Sequence, residues 1–413
     1  MSAVDGFISA SSNKTEGNNC LRVLVVSHTY VVGVNQGKLD AIAKTGNAIV
    51  GLLAPSNWKA LEWNRLLPLE TPYSNIKIYA APVSLTGRGG AHFYAPWKIW
   101  QTLHDFQPDI VHVEEEVFSL CAFELAIWSR LTGKPLSLFG WENMDRQFSA
   151  LRHWVRQFVL DTASLVVAGN HDGAKLLPQW GYKGLVAVVP QIGVDPTLFH
   201  PQVVDRQNAE LQIGFLGRLV PEKGIDILFA AVQQLRKRGL QCRLIICGSG
   251  SSEADLRQEA QKQQIDDWVT WRGSVRHEDA PSEISKFDVL VLPSRTIISW
   301  KEQFGHVLIE AMAMGIPVIG STCGEIPNVI EQADLVFQED DVLGLAAILE
   351  RMICDPEWRQ AAGASGIQRV QQHYTHERIA EQLLDLWQTV LKHKSNARTV
   401  NQKPLKGEVT KCV

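Results

Sequence analysis

The chain has 413 residues, which is longer than one ordinary domain core and predicts about two or three domains. Hydrophobic residues make up 45% of the chain and charged residues 20%, a balance that excludes a mainly disordered protein. The formal net charge of −4 gives no electrostatic reason to expect a nucleic-acid partner, so none is predicted.

The ends of the chain and its cysteines indicate where the protein works. Residues 1–20 are polar and lack the apolar core of a signal peptide, so we interpret them as a disordered lead-in. Residues 394–413 are polar as well and are predicted to be a flexible tail. The seven cysteines form no C-x-x-C pair, which favours a reducing cytoplasm and argues against disulfides or zinc.

Short runs rich in Val, Ile and Leu alternate with longer helical patterns along most of the chain. In the first half these runs predict strands at residues 21–27, 48–53, 76–80, 109–113, 135–139, 165–168 and 185–189. Helices are predicted between them, at residues 38–44, 117–131 and 174–179. The second half repeats the pattern with strands at residues 211–216, 243–247, 268–272, 289–292, 317–320 and 334–337. Such near-continuous apolar strands are typical of parallel sheets covered by helices on both faces.

A proline-containing segment, residues 190–201, separates the two strand–helix series and is predicted to be the domain boundary. The predicted fold class is α/β, with two doubly wound, Rossmann-like domains that face each other across a cleft. The first domain is expected over residues 21–195 and the second over residues 196–372. The helical segment 373–393 is expected to pack back on the first domain.

The loop after the first strand of the second domain has the sequence GFLGRLVPEKG, residues 214–224. Ligands of open α/β sheets bind at the carboxyl ends of strands, where this loop is predicted to lie. Gly217 allows close approach of the backbone to a ligand, and Arg218 and Lys223 are two cations that suit a diphosphate. A surface loop with solvated charges is the alternative.

A second stretch, EQFGHVLIE at residues 302–310, precedes and opens a helix predicted over residues 305–314. Phe304 and Gly305 are expected to offer free N–H groups that attract phosphate, while Glu302 and Glu310 can bind sugar hydroxyls. Alternatively, Glu302 interacts only with the helix dipole and Glu310 is an ordinary surface residue. The apolar neighbours of Glu310 weaken this alternative, because they make an unpartnered charge costly.

These motifs together resemble the retaining glycosyltransferases of family 4. The resemblance rests on G-R-L-x-x-E-K-G, followed later in the chain by E-x-F-G-x-x-x-x-E-A-M-A-x-G-x-P-V. It extends over nearly the whole chain and is densest in the second domain. Further shared landmarks are Gly248-Ser249-Gly250, Arg272-Gly273, Pro293-Ser294 and Cys323-Gly324-Glu325-Ile326-Pro327. The resemblance implies the GT-B fold, with an acceptor-side first domain and a second domain that binds a nucleotide sugar.

The resemblance also implies roles for individual residues of the second domain. Arg218 and Lys223 match the pair that grips the donor diphosphate, and Glu302 and Glu310 match the glutamates that contact the transferred sugar and the ribose. The remaining donor-binding residues that it implies are Gly217, Gly248, Gly273, Ser274, Val275, Phe304 and Gly305. Family members usually need no metal, and the sequence has no D-x-D triplet, so no metal and no cofactor are predicted.

The match is looser in the first domain. Gly33 stands where the family has a glycine-rich loop beneath the diphosphate and the acceptor, although Val32 replaces a second glycine that is often present. The histidine found in many relatives is missing after the fifth predicted strand. We predict that Glu142 or Asn143 lines the acceptor pocket instead; the alternative is that both cap the next helix.

Some residues are more often structural than functional. His28, His112 and His306 are interpreted as structural histidines. Residues 146–156 mix Arg146, Arg152, His153 and Arg156 with Phe148 and Trp154. This composition suits contact with an anionic membrane surface, although a solvated helix face is the favoured interpretation.

The sequence therefore predicts a metal-independent, retaining hexosyltransferase (EC 2.4 class). Its donor is expected to be a UDP- or GDP-linked sugar, and its acceptor a glycan or a lipid-linked glycan of polysaccharide or glycolipid biosynthesis. A catalytically silent nucleotide-sugar-binding protein of the same fold is the alternative. The expected location is cytoplasmic, with peripheral contact at the inner membrane face as a further expectation.

Overall fold

The computed structural model describes residues 20–60, 65–88, 90–202 and 210–401. The predicted lead-in lies outside these residues except for Cys20. The predicted tail is described only over residues 394–401, which are helical.

The first domain is built on a seven-stranded sheet in the order β11-β10-β9-β8-β1-β2-β5, in which every paired strand is parallel. Its strands are β1 (Leu21–Val26), β2 (Ala48–Pro55), β3 (Asn57–Ala60), β4 (Arg65–Pro68), β5 (Ile76–Ala81), β6 (Val83–Ser84), β7 (Phe93–Tyr94), β8 (Ile110–Glu114), β9 (Leu136–Gly140), β10 (Ala163–Ala168) and β11 (Leu185–Val188). Its helices are α1 (Gly37–Lys44), α2 (Pro96–Phe106), α3 (Leu120–Thr132), α4 (Ala150–Thr162) and α5 (His171–Gln179). The pairs β3–β4 and β6–β7 are small antiparallel additions that the sequence patterns did not predict.

The second domain is built on a six-stranded parallel sheet in the order β14-β13-β12-β15-β16-β17. Its strands are β12 (Leu211–Leu216), β13 (Cys242–Cys247), β14 (Val269–Gly273), β15 (Val289–Leu292), β16 (Val318–Ser321) and β17 (Val336–Phe337). The helices that follow are α6 (Ile225–Lys237), α7 (Glu253–Lys262), α8 (Ala280–Ile284), α9 (His306–Ala313), α10 (Ile326–Ile330), α11 (Val342–Cys354), α12 (Pro356–His373) and α13 (His376–Asn401).

The first sheet is buried on both faces, as its apolar strands predict. Leu24 and Val26 point into one core with α2, α3 and α4, whereas Val23 and Val25 point into the other with α1 and α13. Successive strand residues face opposite sides of a sheet, so an uninterrupted apolar strand supplies both cores. The predicted α/β class with two parallel-sheet domains is confirmed.

Two chain segments cross side by side between the domains. The Val194 N–H donates to the Tyr374 carbonyl at 2.8 Å, and the His376 N–H donates to the Val194 carbonyl at 3.3 Å. Beyond this crossing, α13 packs against α1 and buries Trp387 completely beneath the first sheet. The last helix is therefore part of the first domain's core, although it follows the second domain in the chain.

Candidate functional site

The predicted donor-binding residues lie along one edge of the second sheet. The loops after β14, β13, β12 and β15 follow one another in space, because the strands are neighbours in that order. These loops carry Gly273, Gly248, the segment from Gly217 to Lys223, and the segment from Glu302 to Gly305 in turn. This is the edge at which open parallel sheets bind ligands.

Two of these positions require glycine. A Cβ at Gly248 would lie 1.8 Å from the Gly217 carbonyl oxygen, so only glycine lets the loops after β13 and β12 approach this closely. Gly305 has a φ of +84° and forms the N-cap of α9. Its left-handed conformation turns the chain into the helix with no side chain over the first N–H groups.

Lys223 and Glu302 form a mostly buried ion pair between the loops after β12 and β15. The Lys223 Nζ lies 2.5 Å from Glu302 Oε2, and only 12% of the Lys223 side chain is exposed. Ser294 Oγ donates to the same carboxylate oxygen at 2.9 Å. The predicted cation and the predicted sugar-binding carboxylate are therefore direct neighbours, and each fixes the position of the other.

Glu302 lies just before α9, whose N-cap is Gly305. Lys223 and Ser294 both donate to Glu302 Oε2, so the carboxylate has side-chain partners besides the nearby helix N-terminus.

The Arg218 side chain is more exposed and less tightly bound than that of Lys223. It is 54% exposed, and Glu222 is its ion-pair neighbour at 4.0 Å. A guanidinium held so loosely can move to a phosphate oxygen with little loss of protein contacts.

Glu310 lies inside the cleft rather than on the open surface. Its side chain is 16% exposed, and burial raises its pKa to about 7. His277 lies in the segment after β14, and its Nδ1 is 3.8 Å from Glu310 Oε1. Both residues line a cavity of about 330 Å³, to which the first domain contributes Val32, Val34 and Asn35. The predicted ribose-binding residue thus faces the loop that carries Gly33.

The segment with the predicted donor-binding residues Gly273, Ser274 and Val275 lies beside the Gly248 loop. The Gly248 N–H donates to the Gly273 carbonyl at 2.7 Å, and the hydroxyls of Ser249 and Ser274 are 2.6 Å apart. Val275 packs against the second-domain core. His277 follows Val275 by two residues and lines the cavity described above. This segment therefore runs next to the cavity.

The Gly33 N–H is already hydrogen-bonded to a carboxylate of the protein. It donates to Glu70 Oε2 at 2.6 Å, and the Glu70 N–H donates to the Val31 carbonyl at 3.0 Å. The N–H that the resemblance assigns to the diphosphate is therefore bound to Glu70 in this conformation.

Glu142 and Asn143 do not cap the next helix, so that alternative is wrong. Ser149 is the N-cap of α4, and its hydroxyl accepts from the Arg152 N–H. Glu142 binds Arg146 at 2.7 Å. The Asn143 amide donates to the Glu302 carbonyl at 3.2 Å, so Asn143 reaches across the cleft to the donor-side loop.

Further polar contacts join the same parts of the two domains. The His171 ring lies 2.6 Å from Glu325, and Lys301 forms an ion pair with Asp172. These partners are 154 and 129 residues apart, and no sequence motif links them. We call His171, Asp172, Lys301 and Glu325, together with Asn143, the interdomain latch.

A buried charge network under the first-domain edge was also missed by the sequence interpretation. Burial would raise the pKa of Glu114, but the Lys38 ammonium at 2.6 Å and the His112 ring lower it to about 2. Tyr30 and Gln191 donate to its other oxygen at 2.7 and 2.9 Å. His112 is therefore structural in its contacts, as interpreted from the sequence.

Comparisons with known proteins find similarity to a family over the second domain. Residues 198–369 match the family model described as Glycosyl transferases group 1. A GDP-mannose-dependent phosphatidylinositol monomannoside mannosyltransferase of Corynebacterium glutamicum is 31% identical over 48% of this chain and 55% of its own length. The amylovoran biosynthesis glycosyltransferase AmsK of Erwinia amylovora is 28% identical over 60% of this chain and 62% of its own length. The chain thus spans little more than half the length of these curated relatives.

Solved structures resemble the chain over most of its length. Sucrose-phosphate synthase from Thermosynechococcus elongatus superposes with a TM-score of 0.68 at 21% identity, covering 90% of this chain and 100% of that chain. HepE of Anabaena in complex with UDP gives a TM-score of 0.66 at 22% identity, covering 89% of this chain and 100% of that chain. At this identity the likeness establishes the fold. The chain has the GT-B fold, and its second domain is similar to the glycosyl transferases group 1.

Proposed function

We propose that the chain is a retaining, metal-independent glycosyltransferase of family 4 that transfers a sugar from a nucleotide diphosphate to an acceptor hydroxyl. The observation that carries this proposal is the Lys223–Glu302 ion pair beside the N-terminus of α9. It brings a cation, a hydroxyl-binding carboxylate and unpaired helix N–H groups to one edge of the second sheet. The loop that carries Glu302 also contacts the first domain, through the Asn143 amide.

The leaving diphosphate accounts for the cations. As the bond from the anomeric carbon to the phosphate oxygen breaks, negative charge develops on the diphosphate. Arg218, Lys223 and the first N–H groups of α9 stabilise that charge, and preorganised donors of this kind contribute on the order of 3–4 kcal/mol each. Glu302 keeps Lys223 in place and offers its carboxylate to the hydroxyls of the transferred sugar.

The contacts of Glu302 favour a mechanism without a covalent sugar–enzyme intermediate. Lys223 and Ser294 both donate to its Oε2, and these hydrogen bonds make the carboxylate a weaker nucleophile. In the proposed mechanism the acceptor oxygen attacks on the face that the diphosphate leaves. The acceptor proton passes to the departing phosphate oxygen, so no further base and no metal are required.

The donor is proposed to be a UDP- or GDP-linked sugar. The relative from Corynebacterium is named as GDP-mannose-dependent, and the HepE structure contains UDP, so the names of these proteins support both nucleotides. The acceptor is proposed to be a glycan or a lipid-linked glycan, since the relatives are named for phosphatidylinositol mannoside and amylovoran synthesis.

Peripheral membrane contact is proposed for the start of α4. Leu151 and Trp154 are exposed there beside Arg152, whereas Arg156 turns inward, with its guanidinium 4.5 Å from the Trp180 ring. Within the part of the chain that the structure describes, no helix has the length and apolar character to cross a bilayer. Sedimentation with anionic vesicles should recover the wild type and lose the Trp154→Ser variant. Equal recovery of both proteins would contradict this contact.

A donor panel tests the proposed function. Thermal unfolding should shift upward with a UDP- or GDP-linked sugar and not with the free sugar. With that donor and a suitable acceptor, NMR of the product should show the anomeric configuration of the donor, and the rate should not depend on added Mg²⁺ or Mn²⁺. An inverted product would refute retention, and a rate that requires added Mg²⁺ or Mn²⁺ would refute metal-independent donor binding.

A further inference from the structure

Three potential metal ligands meet at the edge of the first domain, away from the donor loops. His28 follows β1, Glu115 follows the adjacent strand β8, and His92 directly precedes β7. Among the described residues, His28, His92 and Glu115 form the one group of three metal-ligating side chains whose ligand atoms all lie within 4.8 Å of one another. Two imidazoles and one carboxylate are a common ligand set for zinc and other divalent transition metals.

The distances within this cluster suit a small cation. His28 Nδ1 lies 2.6 Å and His92 Nε2 lies 3.4 Å from the same oxygen, Glu115 Oε1. Ligands bound to zinc at about 2.0–2.1 Å in tetrahedral geometry are about 3.3 Å from one another. Small side-chain movements would therefore admit the ion, and the backbone need not change.

The environment of the cluster is that of a built site with one open side. His92 and Glu115 are buried, and 28% of the His28 side chain is exposed, which leaves a path for the ion and for a water ligand. The Trp58 ring packs against both imidazoles, with centroids 4.4 Å from His28 and 4.9 Å from His92. This packing holds the ring planes in place, as the outer contacts of metal-binding histidines commonly do.

The backbone also helps to position the carboxylate. Glu115 is buried, and the His28 N–H donates to Glu115 Oε1 at 3.0 Å, the same oxygen that both rings approach. The loop after β1 is therefore already held against Glu115, so the ligand atoms stay together without a large rearrangement.

We propose that His28, His92 and Glu115 bind one divalent transition-metal ion, zinc in the first instance. The cysteine spacing in the sequence was interpreted as evidence against a zinc site. The site proposed here uses two histidines and a glutamate and contains no cysteine. The ion would tie the loop after β1, which carries Gly33, to β8 and to the segment before β7. It would stabilise the acceptor-side edge, and the donor diphosphate would still be bound without metal.

Metal titration of the purified full-length protein tests the proposal without any enzyme assay. After chelator treatment and removal of the chelator, calorimetry should show a saturable step of one Zn²⁺ per chain, with release of protons. Co²⁺ should produce visible absorption typical of low-coordinate nitrogen and oxygen ligation, and Zn²⁺ should abolish it. Absence of a one-equivalent step in the wild type would overturn the proposal.

Matched variants identify the ligands. His28→Ala, at the partly exposed position, and Glu115→Gln should each lose the one-equivalent step or weaken it at least tenfold. His171→Ala is the control, because His171 also contacts a glutamate at 2.6 Å but belongs to no three-ligand group within the described residues. Unchanged zinc binding in both cluster variants would overturn the proposal, as would its loss in the control. Circular dichroism verifies folding, and the Co²⁺ spectrum of the wild type tests the site without substitution.

Discussion

The two edges that face the cleft carry charge in different ways. On the second-domain edge, Arg218 is exposed, and Lys223 is mostly buried between two loops, where the Glu302 carboxylate holds it. On the first-domain edge, Glu114 and Glu115 are buried and bound to partners in the sheet and the loops around it. One edge presents charge to a ligand, whereas the other uses charge to hold its own loops.

This difference explains why substitutions should act differently on the two edges. Removing a charged side chain that acts on the bound ligand should change the free energy of unfolding little and lower the reaction rate strongly. Removing one partner of a buried pair leaves an uncompensated charge in the core and destabilises the fold.

The largest expected effect is on stability, at Lys38. Lys38→Met leaves Glu114 buried without its cation and should lower the free energy of unfolding by about 3–5 kcal/mol. Lys44→Met, on the same helix, removes a 66% exposed partner of Asp40 and should cost less than about 1 kcal/mol. Denaturant unfolding measures both variants. Equal losses would contradict a special contribution of the buried Lys38–Glu114 pair to stability.

On the second-domain edge the corresponding effect is on the rate. Arg218→Ala should lower transfer by about two orders of magnitude and leave thermal unfolding unchanged, because this side chain is mostly exposed. Lys223→Ala should lower transfer similarly and also reduce stability, since Glu302 loses its partner. Exposed Lys237 on α6 provides the control substitution. Wild-type turnover in both variants would contradict the diphosphate assignment.

Glu310 should affect donor binding to a smaller extent. Glu310→Gln should weaken donor affinity about tenfold, on the order of 1.5 kcal/mol, because the amide has one acceptor oxygen for the ribose hydroxyls where the carboxyl group has two. Calorimetry with the donor measures this, with Glu357→Gln on α12 as the exposed control. Unaltered affinity would argue against ribose binding.

The same residue gives the ligand-free protein a pH dependence. Folded Glu310 keeps its proton up to about pH 7, whereas its ordinary pKa is 4.5. The folded state therefore binds more protons than the unfolded state between these values, and its stability should fall as pH rises through this range. The decline should be smaller in Glu310→Gln, as measured by thermal unfolding from pH 4.5 to 7. An identical decline in both proteins would contradict the buried, protonated form.

The smallest expected effect concerns the interdomain latch. Asn143→Ala removes the hydrogen bond to the Glu302 carbonyl and should raise the donor KM about fivefold, corresponding to about 1 kcal/mol. Asn75→Ala, which loses a contact to Asp40 within the first domain, is the control. A KM unchanged by Asn143→Ala, or raised equally by the control, would show that the latch does not position Glu302.

The second domain was more predictable from the sequence than the first, for a physical reason. Its strands β12 and β15 and the helix α9 follow closely from local apolar patterns, and Lys223 and Glu302 lie in short motifs next to them. The ion pair between them follows once the two strands are known to be neighbours. In the first domain, Glu114 depends on Lys38 and Gln191, which lie 76 and 77 residues away. No local pattern encodes such partners.

Other features could not be read from local patterns either. The return of α13 to α1 was expected only from the resemblance, and the β3–β4 and β6–β7 pairs are short insertions without clear periodicity. The members of the acidic run Glu114–Glu115–Glu116 have opposite pKa shifts. Burial and long-range partners determine those shifts, and neither is visible in the order of residues.

The most direct test of the central claim compares nucleotides that differ only in the diphosphate. Calorimetry should show that the nucleoside diphosphate binds the wild type more than tenfold tighter than its nucleoside. The pair is UDP and uridine if the donor is UDP-linked, and GDP and guanosine if it is GDP-linked. In the Arg218→Ala/Lys223→Ala double variant this advantage should disappear while nucleoside binding remains. A diphosphate advantage that survives both substitutions would contradict the account.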